Sequence, residues 1–460
     1  MRTKDEIIEE LLRIVEEQRQ EIIFLKERIA ELERRLNSNS QNSSKPPSSD
    51  GLRKPNPKSL REKGKNKSGG QPKHRGDTLY QTIQPDQIVS HKLDFCPCCS
   101  KDMRRKPIEG LIKRQIFDIS VPKIEVTEHQ AEIKYCTHCN HKISASFPID
   151  VKAPAQYGSR VKAFAIYLQN QHFIPEARLK MIFNDIFNLP IACATLSNFS
   201  NGLSSKLSDF LKSLQHGIYK AKVKHLDETG LRVDKKASWL HVASTRGLTH
   251  YRMSKRGDVP DKMLGIVVHD HWKSYFTIKN ARHAMCNVHI LRELKGIIEE
   301  DKEVWAKNMY RLLQLSCRLK NKYPEGIPKK WIEFISSHYF KTVNEGMLFH
   351  KNLLPLTQKK QWKPKRRIAH NLLLRLQDYS DETLRFLYNP NVPFTNNQAE
   401  QDIRMMKVKQ KVSGCFRSIL GAETFCRVRS FLSTARKQGW NILKSIEEAL
   451  GGRMPDFTAA

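Results

Sequence analysis

Long apolar runs are missing from this chain of 460 residues. None approaches the roughly 18 residues of a membrane-spanning helix, and the N-terminus is too charged for a secretory signal, so a cytoplasmic protein with no membrane partner is expected. Negative charge is scarce as well: 48 aspartates and glutamates stand against 80 lysines and arginines, a net charge of +32. So large and widely spread an excess favours nucleic acid over a membrane surface, whose binders concentrate charge on an amphipathic helix. Cysteine is thin, ten in all, and several fall as C-x-x-C. That usage suits thiolate metal ligation in a reducing compartment better than disulfides. Residues 37–76 hold almost no large apolar side chain, cannot fold alone, and are expected to be a basic disordered linker able to track phosphates.

The chain is too long for one ordinary compact domain. Apolar residues recur at Ile8, Leu11, Val15, Ile22, Leu25, Ile29, Leu32 and Leu36 in steps of three and four, broken at Gln18. β-Branched residues at a with leucine at d favour a parallel two-stranded coil, so residues 1–36 are expected to join copies of the chain into a homodimer or higher oligomer.

Cys96-x-x-Cys99 and Cys136-x-x-Cys139 form two knuckles separated by strand-like stretches at 115–121 and 124–133. Four thiolates so spaced can close a tetrahedral structural Zn²⁺ site, which predicts a zinc ribbon over 77–150, with Cys98 spare and His138 or His141 as substitute ligands. Residues 153–219 turn helical, with Thr195 or Ser197 as a cap. A DNA-binding helix-turn-helix fits there, although ordinary helical packing explains the same apolar residues.

From 220 to 299, strands are predicted around Val223 and Leu226, then at 239–243, 249–253, 266–268 and 281–286, with a short helix at 257–264. Short connections suit an antiparallel meander for the first three, while Ile266, Val267 and Val268 read as a strand covered on both faces. Strands in this order followed by helices predict a ribonuclease-H-like sheet within a multidomain α+β protein. Asp227 and Asp270 are each expected where a strand stops, and Glu400 opens a helix. Carboxylates converging at one sheet edge suit two Mg²⁺ (or Mn²⁺) ions, which can activate an attacking oxygen and stabilise a leaving one in phosphoryl transfer. Plainer explanations exist: an aspartate at a strand end often caps a turn, and Asn397-x-x-Glu400 has capping-box spacing. Arg404, Lys407 and Lys411 follow Glu400 along one helix face, a candidate DNA contact.

At these residues the chain resembles the DDE transposases of bacterial insertion sequences, specifically the family numbered sixty-six. The likeness is carried by the N-terminal coil, NSSKPPSSDG, Gly70-Gln-Pro-x-His74, the paired cysteine knuckles, DETGLRV, HDHW, Cys286-Asn-Val-His289-x-x-Arg292, and NNQAEQDIR followed by Lys407. Lys73 departs from the glycine usual in the family's GQPGH stretch, which touches only a local turn. The resemblance implies Asp227, Asp270 and Glu400 as a catalytic triad, with Lys407 the basic residue two turns beyond. It also implies a helical insertion, here 300–390, after which the catalytic domain resumes over 391–450 before a tail at 451–460. Double-stranded DNA, both transposon ends and target, is the implied partner of a nucleoid-associated enzyme, with accessory transposition proteins as candidates. Cys286 and His289 form a C-x-x-H pair with no second pair nearby, so packing and helix start are their expected roles.

The expected reaction is Mg²⁺-dependent cleavage at transposon ends and strand transfer. Water frees a 3′-hydroxyl, which attacks target DNA with no covalent enzyme intermediate. Tyr167, Tyr251 and Tyr275 lack the basic constellation a nucleophile needs. Two alternatives stay open: a metal-dependent nuclease of the same sheet type that never joins strands, and a non-catalytic zinc-containing DNA-binding regulator.

Overall fold

A computed structural model describes residues 3–43, 50, 79–120, 122–353 and 366–457. Most of the linker expected at 37–76 lies outside them, as do Gly70, Lys73 and His74. The chain divides into two compact units, Pro57–Glu128 and the combination of Met1–Asn56 with His129–Ala460.

In the smaller unit, a backbone bridge between Phe95 and Asp102 flanks the Cys96–Cys99 knuckle, closed by the Ser100 N–H on the Cys96 carbonyl at 2.9 Å. Residues 111–120 and 122–132 are in neither helix nor strand, unlike the stretches predicted there. Ile112, Ile116, Ile119 and Val126 are all exposed, so their apolar pattern has no packed face to hold it in a sheet.

The larger unit begins with α1 (Lys4–Asn37), opened by a reciprocal capping box between Thr3 and Glu6. Its apolar seam is exposed along its length, from Ile8 and Leu11 through Ile29 and Leu32. Beyond it, Asn42 donates to Glu299 at 3.2 Å and Lys295 to Gln41 at 3.4 Å, so the first residues of the expected linker are bonded to the folded body. A hairpin of β1 (Ile133–Cys136) and β2 (His141–Ser144) carries the second knuckle at its turn.

Four helices follow: α2 (Ser159–Ile166), running on into a π-helical turn at Tyr167–Gln171, α3 (Glu176–Phe187), α4 (Cys193–Lys206) and α5 (Ser208–Lys220). Neither Thr195 nor Ser197 caps α4, which starts earlier, at Cys193. Leu179, Phe183, Leu196, Leu203 and Leu214 are buried in one core. That core is completed by Val428, Phe431 and Leu432 of α12 (Ile419–Lys437) and Ile446 and Ala449 of α13 (Ile442–Leu450). These helices thus share one core with the C-terminal helices, and the last described residues join them through Met454 and Phe457.

The central sheet has five strands: β3 (Val223–Val233), β4 (Lys236–Ser244), β5 (Thr249–Ser254), β6 (Ile266–His269) and β7 (Arg282–Met285). Their order is β5-β4-β3-β6-β7, with the first three antiparallel and β3, β6 and β7 parallel. Every residue of β6 is buried. Ile266 and Val268 face the core of the helical insertion, and Val267 faces Leu226, Met263, Tyr275 and Ile278 on the other side. Two covered faces explain its unbroken apolar run. No helix forms at 257–264, where Gly257 at φ +67 turns the chain instead.

The insertion consists of α6 (Asn287–Glu300), α7 (Val304–Lys322), α8 (Lys329–Lys351), α9 (Ile368–Asp378) and α10 (Ser380–Tyr388), so it begins in α6 rather than at residue 300. Then α11 (Asn397–Ser413) lays Ala399, Ile403 and Met406 against Leu231, Val233, Leu240 and Val242. On the edge strand, Ser430 and Thr434 of α12 accept the N–H groups of Tyr251 and Thr249 at 2.8 and 3.1 Å. A helix thereby satisfies backbone groups that would otherwise invite another strand. Among the described residues, no helix is long and apolar enough to cross a membrane.

Candidate active site

Strand register sets the first two carboxylates side by side. His225 of β3 pairs with Val268 of β6 in parallel, and the second residue beyond each is an aspartate, Asp227 and Asp270. Asp270 does stand immediately past its strand. Asp227 does not: β3 runs on to Val233, because β4 keeps pairing with it after β6 has ended. Its pairing with β6 stops at His225, so Asp227 lies on a stretch of edge that no strand covers.

Glu400 reaches the same place from α11. The helix is preceded by Asn396, one residue earlier than capping-box spacing requires, and no side chain caps its N-terminus. The plainer role for Glu400 is therefore not the one it has. Asn396 is committed elsewhere, accepting from His225 Nδ1 at 2.9 Å and donating to the Leu226 carbonyl at 2.8 Å. Its own N–H donates to Cys286 Sγ at 3.2 Å. One asparagine thus fastens β3, the start of α6 and the start of α11 together. Nothing in the sequence singled it out beyond its place in NNQAEQDIR.

Electrostatics record the convergence. Burial and then the charges of Asp270 and Glu400 push Asp227 well above the usual carboxylate range, against the N–H of Glu228, which donates to it at 2.8 Å. Asp270 is raised to about 6 by burial, opposed by the Trp272 N–H at 3.0 Å, with Glu228 and Glu400 adding to the rise. The strongest charges on both are negative, and all three carboxylates keep some exposure. The hydroxyl of Tyr275 is buried with no hydrogen-bond partner, and burial and the charges of Asp227 and Asp270 raise its pKa well above the ordinary phenol. It is a poor nucleophile there. Hard carboxylate oxygens beside a buried unpartnered hydroxyl are a donor set that fits Mg²⁺ or Mn²⁺.

Sequence reasoning gave Glu228 no functional role; its Oε2 accepts the Gly257 N–H at 3.0 Å and faces His241 at 3.5 Å, fixing the turn beside the site. It also set Cys286 and His289 aside, yet Cys286 Sγ lies 3.7 Å from Glu400 Oε1. Burial and Glu400 raise that thiol to about 12. Of the basic residues, Arg404 and Lys411 are exposed, while Lys407 is half-buried and donates to the Gly230 carbonyl at 3.1 Å.

The zinc ligands expected from sequence fall in both units, Cys96 and Cys99 in one and Cys136 and Cys139 in the other. Within each knuckle the thiols hydrogen-bond. Backbone N–H groups of Cys98 and Cys99 lower the pKa of Cys96, and that of Cys139 lowers Cys136. Cys96 and Cys136 are thereby disposed to the thiolate form that binds zinc.

Three family models match stretches of the chain. A model described as the zinc-finger binding domain of transposase IS66 matches residues 94–140, which supports a structural zinc at the knuckles. A family of unknown function (DUF6444) matches residues 3–79. No curated protein matches the chain. The model of the Transposase IS66 family matches residues 154–424, more than half of the 460, and takes in the carboxylates and the helix that delivers Glu400: the chain belongs to the Transposase IS66 family.

Proposed function

We propose that the protein is a DDE transposase, cutting DNA at transposon ends and joining the freed ends to target DNA. The observation that carries this reading is the placement of Asp227 and Asp270 by adjacent parallel strands, with both feeling the charge of Glu400, which a helix brings from far along the chain. Strand order β5-β4-β3-β6-β7, three antiparallel and two parallel with helices on both faces, supports a ribonuclease-H-like domain. Asp227, Asp270 and Glu400 would hold Mg²⁺ or Mn²⁺, two ions in our reading. When bound, such ions supply charge neutralisation at a phosphodiester and acidify an attacking oxygen.

The chain's own groups do the rest. Partly exposed carboxylates on an uncovered strand edge leave room for a DNA backbone, and the buried aromatic and apolar floor beneath them keeps bulk water away. In the first displacement, water forms a P–O bond as the bond to the 3′ oxygen breaks, leaving a 3′-hydroxyl. That hydroxyl then forms a new P–O bond on target DNA as another breaks. Arg404 and Lys411, exposed along α11, meet flanking phosphates, and Lys407 steadies the helix against β3. The net charge of +32 holds the duplex without reading sequence. Structural zinc would be held by the cysteine knuckles, and α1 pairs with α1 of a second copy through its exposed seam.

The test is incubation with DNA bearing the element's ends, with and without Mg²⁺. Wild type is expected to cut, and pre-cut ends to join. Asp227→Ala and Glu400→Gln should each lower the rate by at least about a hundredfold, as loss of one charge-stabilising group at a reacting centre does, while melting as wild type does. Full activity in Glu400→Gln would sink the assignment, and cutting without joining would leave a nuclease.

A further inference from the structure

We propose that Cys286, His289 and Glu400 form a site for one borderline-soft divalent cation such as Zn²⁺, distinct in ligand chemistry from the all-oxygen site beside it. Among the described residues these three are the group whose metal-ligating atoms all lie within 4.8 Å of one another. A C-x-x-H pair by itself lacks ligands. Here the chain supplies the third from α11, with Glu400 Oε1 at 3.7 Å from Cys286 Sγ.

Local geometry fits such a site. Cys286 is the N-cap of α6, where unsatisfied N–H groups give the helix its positive end, and the Asn396 N–H points at its sulfur from 3.2 Å. His289 stands in the first turn of the same helix, so it shares a face with Cys286. Its Nδ1 is buried and has no hydrogen-bond partner among the described residues, which leaves it open to a ligand. Sulfur, nitrogen and oxygen together select zinc, cobalt or cadmium over magnesium, and three protein ligands leave a fourth position open. Binding releases the thiol proton.

The regulatory consequence rests on the transposase reading. Glu400 cannot serve both sites fully, so zinc bound here draws it away from the hard ions and inhibits cleavage.

The experiment uses full-length protein with its knuckles loaded with zinc, titrated with Co²⁺ and followed by absorption. One added equivalent should give a thiolate-to-cobalt charge-transfer band that Cys286→Ser lacks. His289→Gln and Glu400→Gln should weaken Co²⁺ binding by more than about a hundredfold, beyond what loss of an outer partner costs. Metal-free melting curves identify any variant that fails to fold, and the His289→Gln affinity then decides alone. A band equal in wild type and Cys286→Ser, or none in wild type, overturns the site. At fixed Mg²⁺, added Zn²⁺ should lower wild-type cleavage and leave the ratio for Cys286→Ser near one. Equal inhibition of both overturns the inhibitory role. Should no protein cleave, it is the transposase reading that fails, and the cobalt spectrum still judges the site.

Discussion

Asn396 carries more of the site than any acidic residue does. Its side chain is buried and uses both ends, one on His225 and one on the Leu226 carbonyl. Burial lowers the pKa of His225 to about 4, so that imidazole is neutral and its Nδ1–H is the donor. In Asn396→Ala, two buried groups lose their partners, at about 1–3 kcal/mol each. Equilibrium urea unfolding should show the midpoint falling accordingly, and cleavage should fall further than the folded fraction does, because Glu400 loses its anchor. An unchanged midpoint would show that water replaces the asparagine.

At the level of elements, α11 is held to the sheet by few side chains, and Met406 is the most buried of its long ones. Met406→Ala leaves a cavity against Leu231 and Leu240 and should destabilise by about 2–5 kcal/mol, read from denaturant midpoints. The strands of the sheet were legible because their residues obey simple patterns: Ile266, Val267 and Val268 are apolar without break, and the meander alternates. The end of β3 was not. Glu228, Thr229 and Arg232 look like loop residues, and only pairing with β4 keeps them extended. The opposite error arose at 115–121, where alternation was present and a partner was not. Glu400 could be picked out, but its release from a capping role depends on Asn396 being held by β3, a contact between residues 170 positions apart. Cys286 and His289 were undervalued for the same reason, since their third neighbour comes from another part of the chain. Local pattern reveals periodicity; it does not reveal which distant segment arrives.

On the scale of the whole molecule, α1 exposes Ile8, Leu11, Val15, Ile22, Leu25, Ile29 and Leu32 on one seam, while its far end is pinned by Arg34 on Asp301. On the coiled-coil reading, a second copy covers this seam, which is half open to solvent over so many positions. Removing residues 1–36 should convert the assembly to monomers in sedimentation velocity, and the same oligomer after deletion would refute the coil. The order in which the chain is made adds one more consequence. Both aspartates leave the ribosome long before residue 396, and a product released early would carry them without the asparagine clasp or the third acid. On the transposase reading, such a fragment would keep basic stretches able to hold DNA and lack the acid needed to cut it.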